Sequence, residues 1–323
     1  MDSFKFTTPV TIPKADFNIK HQQPILLFGS CFTESIGHKL LDNKFDVTIN
    51  PNGIVYNPIS VINALQRVIE NRLYSENELL QINDTWISLN HHGSFSSVNK
   101  DECLNNINNS LNQAHQKLLT AKTLVITFGS AWVYEYANKG IVANCHKIPA
   151  KEFKKRLLTV KEILAAFEPI KTALKSVTII FTVSPVRHVN DGLHENNISK
   201  SVLHLAINNL VEQNKNCSYF PAYEIVIDEL RDYRFFKDDL IHPTEMAVNY
   251  VWEKFTHCFF NADTKKLITE IQKIKAAANH KPFNFESEAH QNFIKTQIQL
   301  MDKLSTQFPF LDFEEEKVEV WNK

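Results

Sequence analysis

The chain has 323 residues, of which 43% are hydrophobic and 22% are charged, and this composition excludes a disordered or fibrous chain. Its 35 Lys and Arg residues against 36 Asp and Glu residues give a formal net charge of -1, without the basic excess of a nucleic-acid-binding protein. No run approaches the roughly 18 apolar residues of a membrane span, and the first residues lack the apolar core of a signal peptide. We therefore expect a soluble, cytoplasmic protein with no membrane span and no nucleic-acid partner.

Strand-like and helix-like segments alternate along most of the chain. The apolar run 24–28 ends at Gly29 and predicts a buried parallel strand, and the apolar spacing over 33–41 predicts a helix after it. Further strands are predicted over 123–128, over 176–183 and around 224–227, and further helices over 59–73, 151–167, 196–213 and from 243 or 244 to about 259. This alternation is typical of a doubly wound α/β fold with a parallel sheet.

Two segments need separate interpretation. The polar, Asn-rich segment 77–112 shows no clear periodicity. The helix over 196–213 is amphipathic, and its predicted inward-facing residues are Ile198, Val202, Leu205, Ala206 and Leu210.

We place a domain boundary at residue 260. Residues 1–260 contain the strand and helix alternation, whereas 261–323 has only helical periodicity and becomes acidic over 313–320. We predict that 261–323 is a helical extension that covers one face of the sheet or forms a dimer surface, with its acidic end as a solvated tail.

Ligands of an open parallel sheet bind beyond the carboxyl ends of the strands. We therefore expect the site in the loops that begin at Gly29, Asn50, Gly129 and Ser184. Asp239 and His242 lie three residues apart just before a predicted helix. At this spacing the carboxylate can reach Nδ1 of the imidazole, which leaves Nε2 as a general base for a nucleophile elsewhere.

The cysteines predict neither a disulfide framework nor a metal site. The five cysteines are widely spread and contain no CxxC pair. The pairs Cys145-His146 and His257-Cys258 lack metal-ligand spacing. We expect no metal and no cofactor.

Four ordered motifs carry a resemblance to a known family. The string 28–33 (FGSCFT) is similar to the opening motif of the GSCFA family, with Thr33 in place of the family's Ala. The strings 127–134 (TFGSAWVY), 182–188 (TVSPVRH) and 239–243 (DLIHP) are similar to later motifs, so the resemblance spans roughly residues 20–258. GSCFA proteins resemble SGNH (GDSL-like) hydrolases. The resemblance thus implies a flavodoxin-like parallel sheet, a nucleophile from the first motif, the Asp-x-x-His of the last motif, and an oxyanion hole made by backbone amides between them.

The first motif contains two candidate nucleophiles. Laying the SGNH string F-G-D-S-L-T over 28–33 places Cys31 at the serine position, so we favour Cys31. A thiol at the amino end of a helix meets the positive end of the helix dipole, which stabilises a thiolate. Ser30 is the rival, either as the nucleophile or as the cap of the following helix. Cys31 could also be only a small buried residue.

One SGNH feature is missing from this sequence. The SGNH block G-x-N reads GSA over 129–131, so the asparagine donor of the oxyanion hole is absent. Losing such a donor costs on the order of a hundred- to a thousandfold in turnover. We assign the oxyanion hole to Gly53, Gly129 and Ser130, with the Cys31 amide sharing the developing charge and with Asn52 and Trp132 as further candidate donors or substrate contacts.

Arg187 and His188 follow the end of the third predicted strand. The Arg187 guanidinium could hold a substrate carboxylate or phosphate in a bidentate fork. The alternative is a structural ion pair with an acidic residue, for which the candidates are Glu195, Asp228, Glu229 and Asp232.

These assignments predict acyl chemistry through a Cys/Ser-His-Asp site. The expected partner is a small-molecule or carbohydrate acyl ester, and the expected reaction is its hydrolysis or the transfer of its acyl group. Ala131, at the position of the missing donor, favours the alternative, a non-catalytic carbohydrate- or acyl-binding protein on the same fold.

Overall fold

The structure is a computed structural model that describes residues 7–280, 284 and 287–321. Its strands are β1 (Ile25–Gly29), β2 (Val47–Ile49), β3 (Leu80–Ile82), β4 (Thr85–Ile87), β5 (Thr123–Phe128), β6 (Trp132–Tyr136), β7 (Ile141–Val142), β8 (Phe153–Leu157), β9 (Thr178–Val183) and β10 (Cys217–Tyr219). Its α-helices are α1 (Cys31–Asp42), α2 (Pro58–Glu70), α3 (Lys100–Leu118), α4 (Val160–Lys171), α5 (Leu193–Gln213), α6 (Ala222–Glu224), α7 (Glu245–Phe259), α8 (Ala262–Asn279), α9 (Glu288–Gln307) and α10 (Glu314–Trp321).

A five-stranded parallel sheet lies at the centre, in the order β10-β9-β5-β1-β2. Counted among themselves in chain order, these strands have the order 2-1-3-4-5, which is the flavodoxin-like arrangement. From β1 the chain passes to β2 on one side and then crosses back to β5 on the other side of β1. The carboxyl ends of β1 and β5 therefore form the topological switch point, where such folds bind ligands.

Helices cover both faces of the sheet. The side chains of β1 alternate, so that Leu26 and Phe28 pack with α2, α3, α4 and α5, whereas Ile25 and Leu27 pack with α1 and α7. Because both faces are covered, β1 and β5 are buried at every position. The predicted doubly wound α/β fold is confirmed. No helix in the described part of the chain is both long and apolar enough to cross a membrane.

Several predicted elements were wrong. The segment predicted as a helix over 151–167 contains β8 before α4 begins, and β8 pairs with β6 in a small three-stranded antiparallel sheet. The strand predicted around 224–227 is helical, because α6 continues as a π-helix over Ile225–Leu230, and the fifth strand is β10 instead. The unassigned segment 77–112 contains the β3–β4 hairpin and the start of α3.

The buried face of α5 agrees with the prediction at Ala206 and Leu210 but differs from it elsewhere. Ile198 and Leu205 are exposed, whereas Asn196, Ser199 and Lys200 are buried together with Leu203 and Ile207. Polar side chains occupy the buried face near the start of α5, so apolar spacing gave a misleading orientation there.

The C-terminal helices form a cluster of their own. Apolar residues of α8, α9 and α10 pack together around Ile271, Met301 and Phe313. The predicted acidic tail is instead the helix α10, and its Glu316 is buried with an ion pair to Lys44 at 2.7 Å. The boundary placed at residue 260 falls between α7 and α8 and stays a prediction.

Candidate functional site

A cleft of about 360 Å³ opens beside the switch point of the sheet. Six residues predicted for the site from the sequence line this cleft: Cys31, Ser130, Trp132, Arg187, His188 and His242. They come from four separate loops or element ends, and the sheet brings these together. Tyr56, Asn57 and Cys145 are among the lining residues that the sequence did not indicate.

The turn between β1 and α1 separates the roles of its two candidate nucleophiles. Ser30 is the N-cap of α1, where its Oγ accepts a hydrogen bond from the Phe32 N–H at 3.3 Å, and it is only 1% exposed. Cys31 is the first residue of the helix, is half-buried, and lines the cleft. The structure therefore shows Ser30 in the capping role and leaves Cys31 facing the cleft.

Several groups act on the Cys31 thiol. Burial raises its pKa, and the carboxylate of Glu34 on the same helix acts in the same direction. The backbone N–H groups of Cys31 and Phe32 and the charge of Lys200 oppose this rise. In the described part of the chain no hydrogen bond joins the Cys31 sulfur to His242, although both residues line the cleft.

Asp239 and His242 sit in a small hairpin. Lys237 N–H donates to the His242 carbonyl at 2.8 Å, and Phe236 and Pro243 form an antiparallel bridge. Asp239 Oδ2 lies 2.7 Å from His242 Nδ1, which leaves Nε2 available on the other side of the ring. The predicted Asp-His pair is thus formed. Both side chains are open to solvent, at 45% and 43% exposed.

Asp239 also organises the turn that it belongs to. Its Oδ1 accepts hydrogen bonds from the N–H groups of Ile241 and His242, both at 2.9 Å. These amides, and then the imidazole, lower the pKa of Asp239 to about 2. Between the two ends of the turn, Leu240 has a φ of 58°, a left-handed conformation that is uncommon for a residue with a side chain.

The backbone amides of Gly53, Gly129 and Ser130, three of the residues predicted for the oxyanion hole, already donate to carbonyls within the protein. The Gly53 N–H donates to the Asn50 carbonyl at 2.7 Å. The N–H groups of Gly129 and Ser130 both donate to the Tyr56 carbonyl, at 2.8 and 3.2 Å. These amides close a turn and tie two loops together, so they hold the frame of the cleft.

Asn52 also differs from its predicted role. It is buried outside the residues that line the cleft, with its Nδ2 3.0 Å from His91 Nε2. Burial lowers the pKa of His91 to about 3. Its ring is therefore neutral at pH 7 and serves this internal contact. Gly53 next to Asn52 has a φ of 71°, and a Cβ there would lie 2.3 Å from His92 Cβ.

Arg187, His188 and Trp132 form one wall of the cleft. Burial, and after it the charge of Lys200, lower the pKa of His188 to about 4, so His188 is neutral at pH 7. The Arg187 guanidinium lies 5.9 Å from the Phe236 ring, and no described carboxylate lies within 4.0 Å of it to make the alternative structural ion pair. Trp132 Nε1 donates to the Glu195 carbonyl at 3.1 Å, which fixes the indole.

Lys200 was missed by the sequence analysis. It projects from α5 to the carboxyl ends of the sheet, where its Nζ donates to the carbonyls of Gly129 and Ser184, both at 2.7 Å. Its side chain is only 2% exposed. The signal for it in the sequence would have been the polar pair Ser199-Lys200 on the buried face of α5. Ser199 Oγ accepts the Ala131 N–H at 2.7 Å.

Within the described residues, no group of three or more His, Cys, Asp or Glu side chains is arranged to hold a metal ion. The cleft instead combines the Cys31 thiol, the His242 imidazole with the Asp239 carboxylate behind it, and the Arg187 guanidinium. Such a set can support nucleophilic attack, proton transfer and recognition of an anion.

Comparison with known proteins identifies the family. A search of the curated proteins found no match. The GSCFA family matches residues 24–255, and the C-terminal domain of GSCFA domain proteins matches residues 271–323. The first match covers more than half of the chain and runs from the start of β1 through the hairpin of His242. The chain therefore belongs to the GSCFA family.

Proposed function

We propose that this GSCFA protein is an SGNH-like acyl-ester hydrolase or acyltransferase. Cys31 attacks the acyl carbonyl, His242 transfers the proton and Asp239 orients His242. The observation that supports this best is that Cys31 and His242 line the same cleft at the switch point of the sheet, with His242 Nδ1 held by Asp239 at 2.7 Å. That hydrogen bond directs Nε2 to be the atom that takes up the thiol proton.

The reaction has two halves. In the first, the Cys31 proton passes to His242 Nε2, the sulfur–carbon bond forms, and the ester oxygen leaves with that proton as an alcohol. In the second, His242 takes a proton from water or from an acceptor alcohol, whose oxygen attacks the thioester and releases the thiol. Contacts between a nucleophile and its base often tighten only in the complex with substrate. An exposed hairpin leaves room for His242 to close on Cys31.

The oxyanion needs a donor other than the amides of Gly53, Gly129 and Ser130, which are already engaged. We propose the Cys31 N–H at the amino end of α1, where the first amides of a helix have no partner within it and the helix dipole is positive. Ser30 supports this arrangement by capping the Phe32 N–H.

Arg187 indicates the class of substrate. Its guanidinium lines the cleft, and no described carboxylate neutralises it. We propose that the acyl ester carries a carboxylate or a phosphate that this guanidinium binds in a bidentate fork. A carbohydrate ester that bears such a group fits a cleft lined by several polar side chains.

The test is acylation by p-nitrophenyl acetate, followed by peptide mass mapping. We expect an acetyl adduct on Cys31 that is absent in Cys31→Ala and retained in Ser30→Ala. In His242→Ala, formation of this adduct should be at least about 100-fold slower, since general bases contribute that much. Cys145→Ala and His257→Ala are matched controls, because Cys145 lines the same cleft and His257 lies on the exposed face of α7, and both should behave like wild type.

The same experiment can reject the proposal. An adduct that forms at the wild-type rate in folded His242→Ala would remove His242 from the mechanism. An adduct confined to Ser30 would replace the nucleophile.

A non-catalytic binding protein is the second candidate. The engaged amides of Gly53, Gly129 and Ser130 favour it, since a cleft whose loops are already tied together can bind an ester without stabilising its oxyanion. It predicts no adduct on Cys31 in a folded protein and saturable binding of an acylated sugar.

A further inference from the structure

Lys200 is a buried cation without a carboxylate partner. Its side chain is 2% exposed, and no carboxylate in the described part of the chain lies within 4.0 Å of its Nζ. Its hydrogen-bond partners there are two neutral carbonyls, those of Gly129 and Ser184. A buried ammonium is costly unless an anion balances it. This position therefore calls for a negative charge close by.

The strand register shows which group could carry that charge. Gly29 pairs with Thr127 across β1 and β5, and Phe128 pairs with Val183 across β5 and β9. Cys31, Gly129 and Ser184 follow the ends of β1, β5 and β9 by one or two residues. They therefore lie at about the same height beyond three adjacent strands. Neighbouring strands are about 4.8 Å apart. The Lys200 ammonium, which donates to the carbonyls of Gly129 and Ser184, thus lies within one or two strand spacings of Cys31.

The charges of these two groups affect each other. Burial lowers the pKa of Lys200 to about 7, and a thiolate on Cys31 raises it. In the other direction, the Lys200 ammonium lowers the pKa of the Cys31 thiol against the opposing effects of burial and Glu34. The other titratable or charged groups that act on one of the two or face it are Glu34, Tyr56, His188, His204 and Tyr223.

We propose that Lys200 is the positioning residue that stabilises the Cys31 thiolate formed when His242 takes the thiol proton, so that this buried ammonium balances the charge on the sulfur while the exposed His242 carries the proton to the leaving group. The proposal rests on the proposed function, in which Cys31 is the nucleophile. It assigns to Lys200 a role that neither the Asp-His pair nor the amides of the cleft fill. Lys200 acts through the sulfur and is not required to touch the substrate.

The competing explanation is that Lys200 only ties two loops together through its hydrogen bonds. Two variants separate these roles. Lys200→Gln keeps an N–H donor for the carbonyls of Gly129 and Ser184 but has no charge. Lys200→Met has an unbranched side chain of the same length as Gln, one atom shorter than Lys, but has neither donor nor charge. If hydrogen bonding is the whole role, the Gln variant behaves like wild type and the Met variant does not.

The measurement is the rate of iodoacetamide alkylation of Cys31 between pH 6 and 10, followed by mass spectrometry, with Cys145 in the same cleft as the internal reference. An opposite charge within about 4–6 Å changes a pKa by roughly 1–3 units. Because Lys200 lies within one or two strand spacings of Cys31, we expect both variants to raise the apparent pKa of Cys31 by up to about one unit. Alkylation at pH 6.5, below the Lys200 pKa of about 7, then slows by up to about tenfold. The Cys145 profile should be unchanged.

An unchanged Cys31 profile in folded Lys200→Gln would overturn the proposal. If neither variant folds, lysine labelled with ¹³C at Cε is observed by NMR in wild type and in Cys31→Ser. Coupling between two sites is reciprocal, so Lys200 should titrate at a lower pH in Cys31→Ser than in wild type. Equal midpoints would again contradict the proposal.

These tests are independent of the acyl chemistry. Alkylation uses no ester and no proton transfer to a leaving group. A Lys200 effect without acyl adducts would therefore reject the proposed function alone, whereas adducts without a Lys200 effect would reject only the inference about Lys200.

Discussion

Two neighbouring residues just after β1 have side chains of similar size but different surroundings. Ser30 and Cys31 differ by one atom, yet the hydroxyl turns to the Phe32 N–H and the thiol turns to the cleft. A hydroxyl is the better cap because it accepts a stronger hydrogen bond than a thiol does. Exchanging the two residues would therefore weaken the cap as well as alter the nucleophile.

His21 allows a prediction at the scale of one residue. Its ring stacks on Phe45 at 3.9 Å and hydrogen-bonds to the Asn43 carbonyl, and burial lowers its pKa to about 4. As the pH falls through about 6.5, the unfolded chain binds a proton that the folded protein does not bind until about pH 4, so the unfolding free energy decreases over that window. From pH 7 to pH 5 wild type should lose about 1–2 kcal/mol relative to His21→Phe. Parallel pH profiles of the two proteins in urea unfolding would contradict this prediction.

At the scale of elements, the turn between β1 and α1 is clamped from two sides. Asn50, after β2, accepts the Gly29 N–H through its Oδ1 at 2.8 Å. Gly29 has a φ of 141°, and a Cβ there would lie 2.1 Å from the Thr127 carbonyl oxygen. The neighbouring strand β5 therefore leaves no room for a side chain immediately before the capping residue.

We predict that Gly29→Ala lowers the free energy of unfolding by at least about 3 kcal/mol, because it combines backbone strain with a clash against a carbonyl that cannot move without disturbing β5. Gly93→Ala is the matched control, since a Cβ at Gly93 meets nothing within 4 Å and its φ is not positive. Urea unfolding of both variants provides the comparison. Equal stabilities would show that β1 and β5 can separate at this point.

The elements that could be predicted from the sequence share a physical property. β1, β5 and β9 are central strands with nearly continuous apolar runs, and such runs are visible in one dimension. β2 has three residues at an edge, each half-buried, and β8 carries charged residues on a small outer sheet, so neither has a distinctive pattern. Their existence depends on pairing with distant strands.

The residues of the site also differ in whether the sequence could indicate them. Motifs indicated Cys31, the Asp239–His242 pair and Arg187, because each stands at a strand end or has a characteristic spacing. The engagement of the Gly129 amide and the burial of Lys200 depend on contacts across some 70 residues of sequence, from Gly129 to Tyr56 and from Lys200 to Gly129. Neither fact has a local signature.

At the scale of the whole molecule, charged contacts join the C-terminal helices to the α/β part. Lys44, just after α1, reaches Glu316 of α10 and also lies 5.5 Å from the Phe313 ring. Lys275 of α8 pairs with Asp42 at the end of α1. Both contacts lie at the C-terminal end of α1, far along the helix from Cys31, so the extension meets the domain away from the cleft.

We predict that Lys44→Met destabilises the protein by about 2–4 kcal/mol, because it leaves the buried Glu316 carboxylate unpaired. Adding Glu316→Gln should recover much of that loss, since the remaining amide carries no charge. Lys317→Met is the control: Lys317 also lies on α10 but makes ion pairs at the surface, worth less than about 1 kcal/mol. Urea unfolding measures all four proteins. A double variant as unstable as Lys44→Met would contradict the explanation by buried charge.

The hairpin that carries Asp239 and His242 has one more consequence. It is closed by its own backbone bonds, from Lys237 N–H to the His242 carbonyl and from Thr244 N–H to the Phe235 carbonyl, both at 2.8 Å. The Asp239 carboxylate and the His242 imidazole are therefore parts of one preformed hairpin. Lengthening or shortening the connection over 231–234 would move His242 towards Cys31 or away from it without changing the hydrogen bond between Asp239 and His242. The distance between His242 and Cys31 can therefore change separately from the contact with Asp239 that sets the protonation of the imidazole.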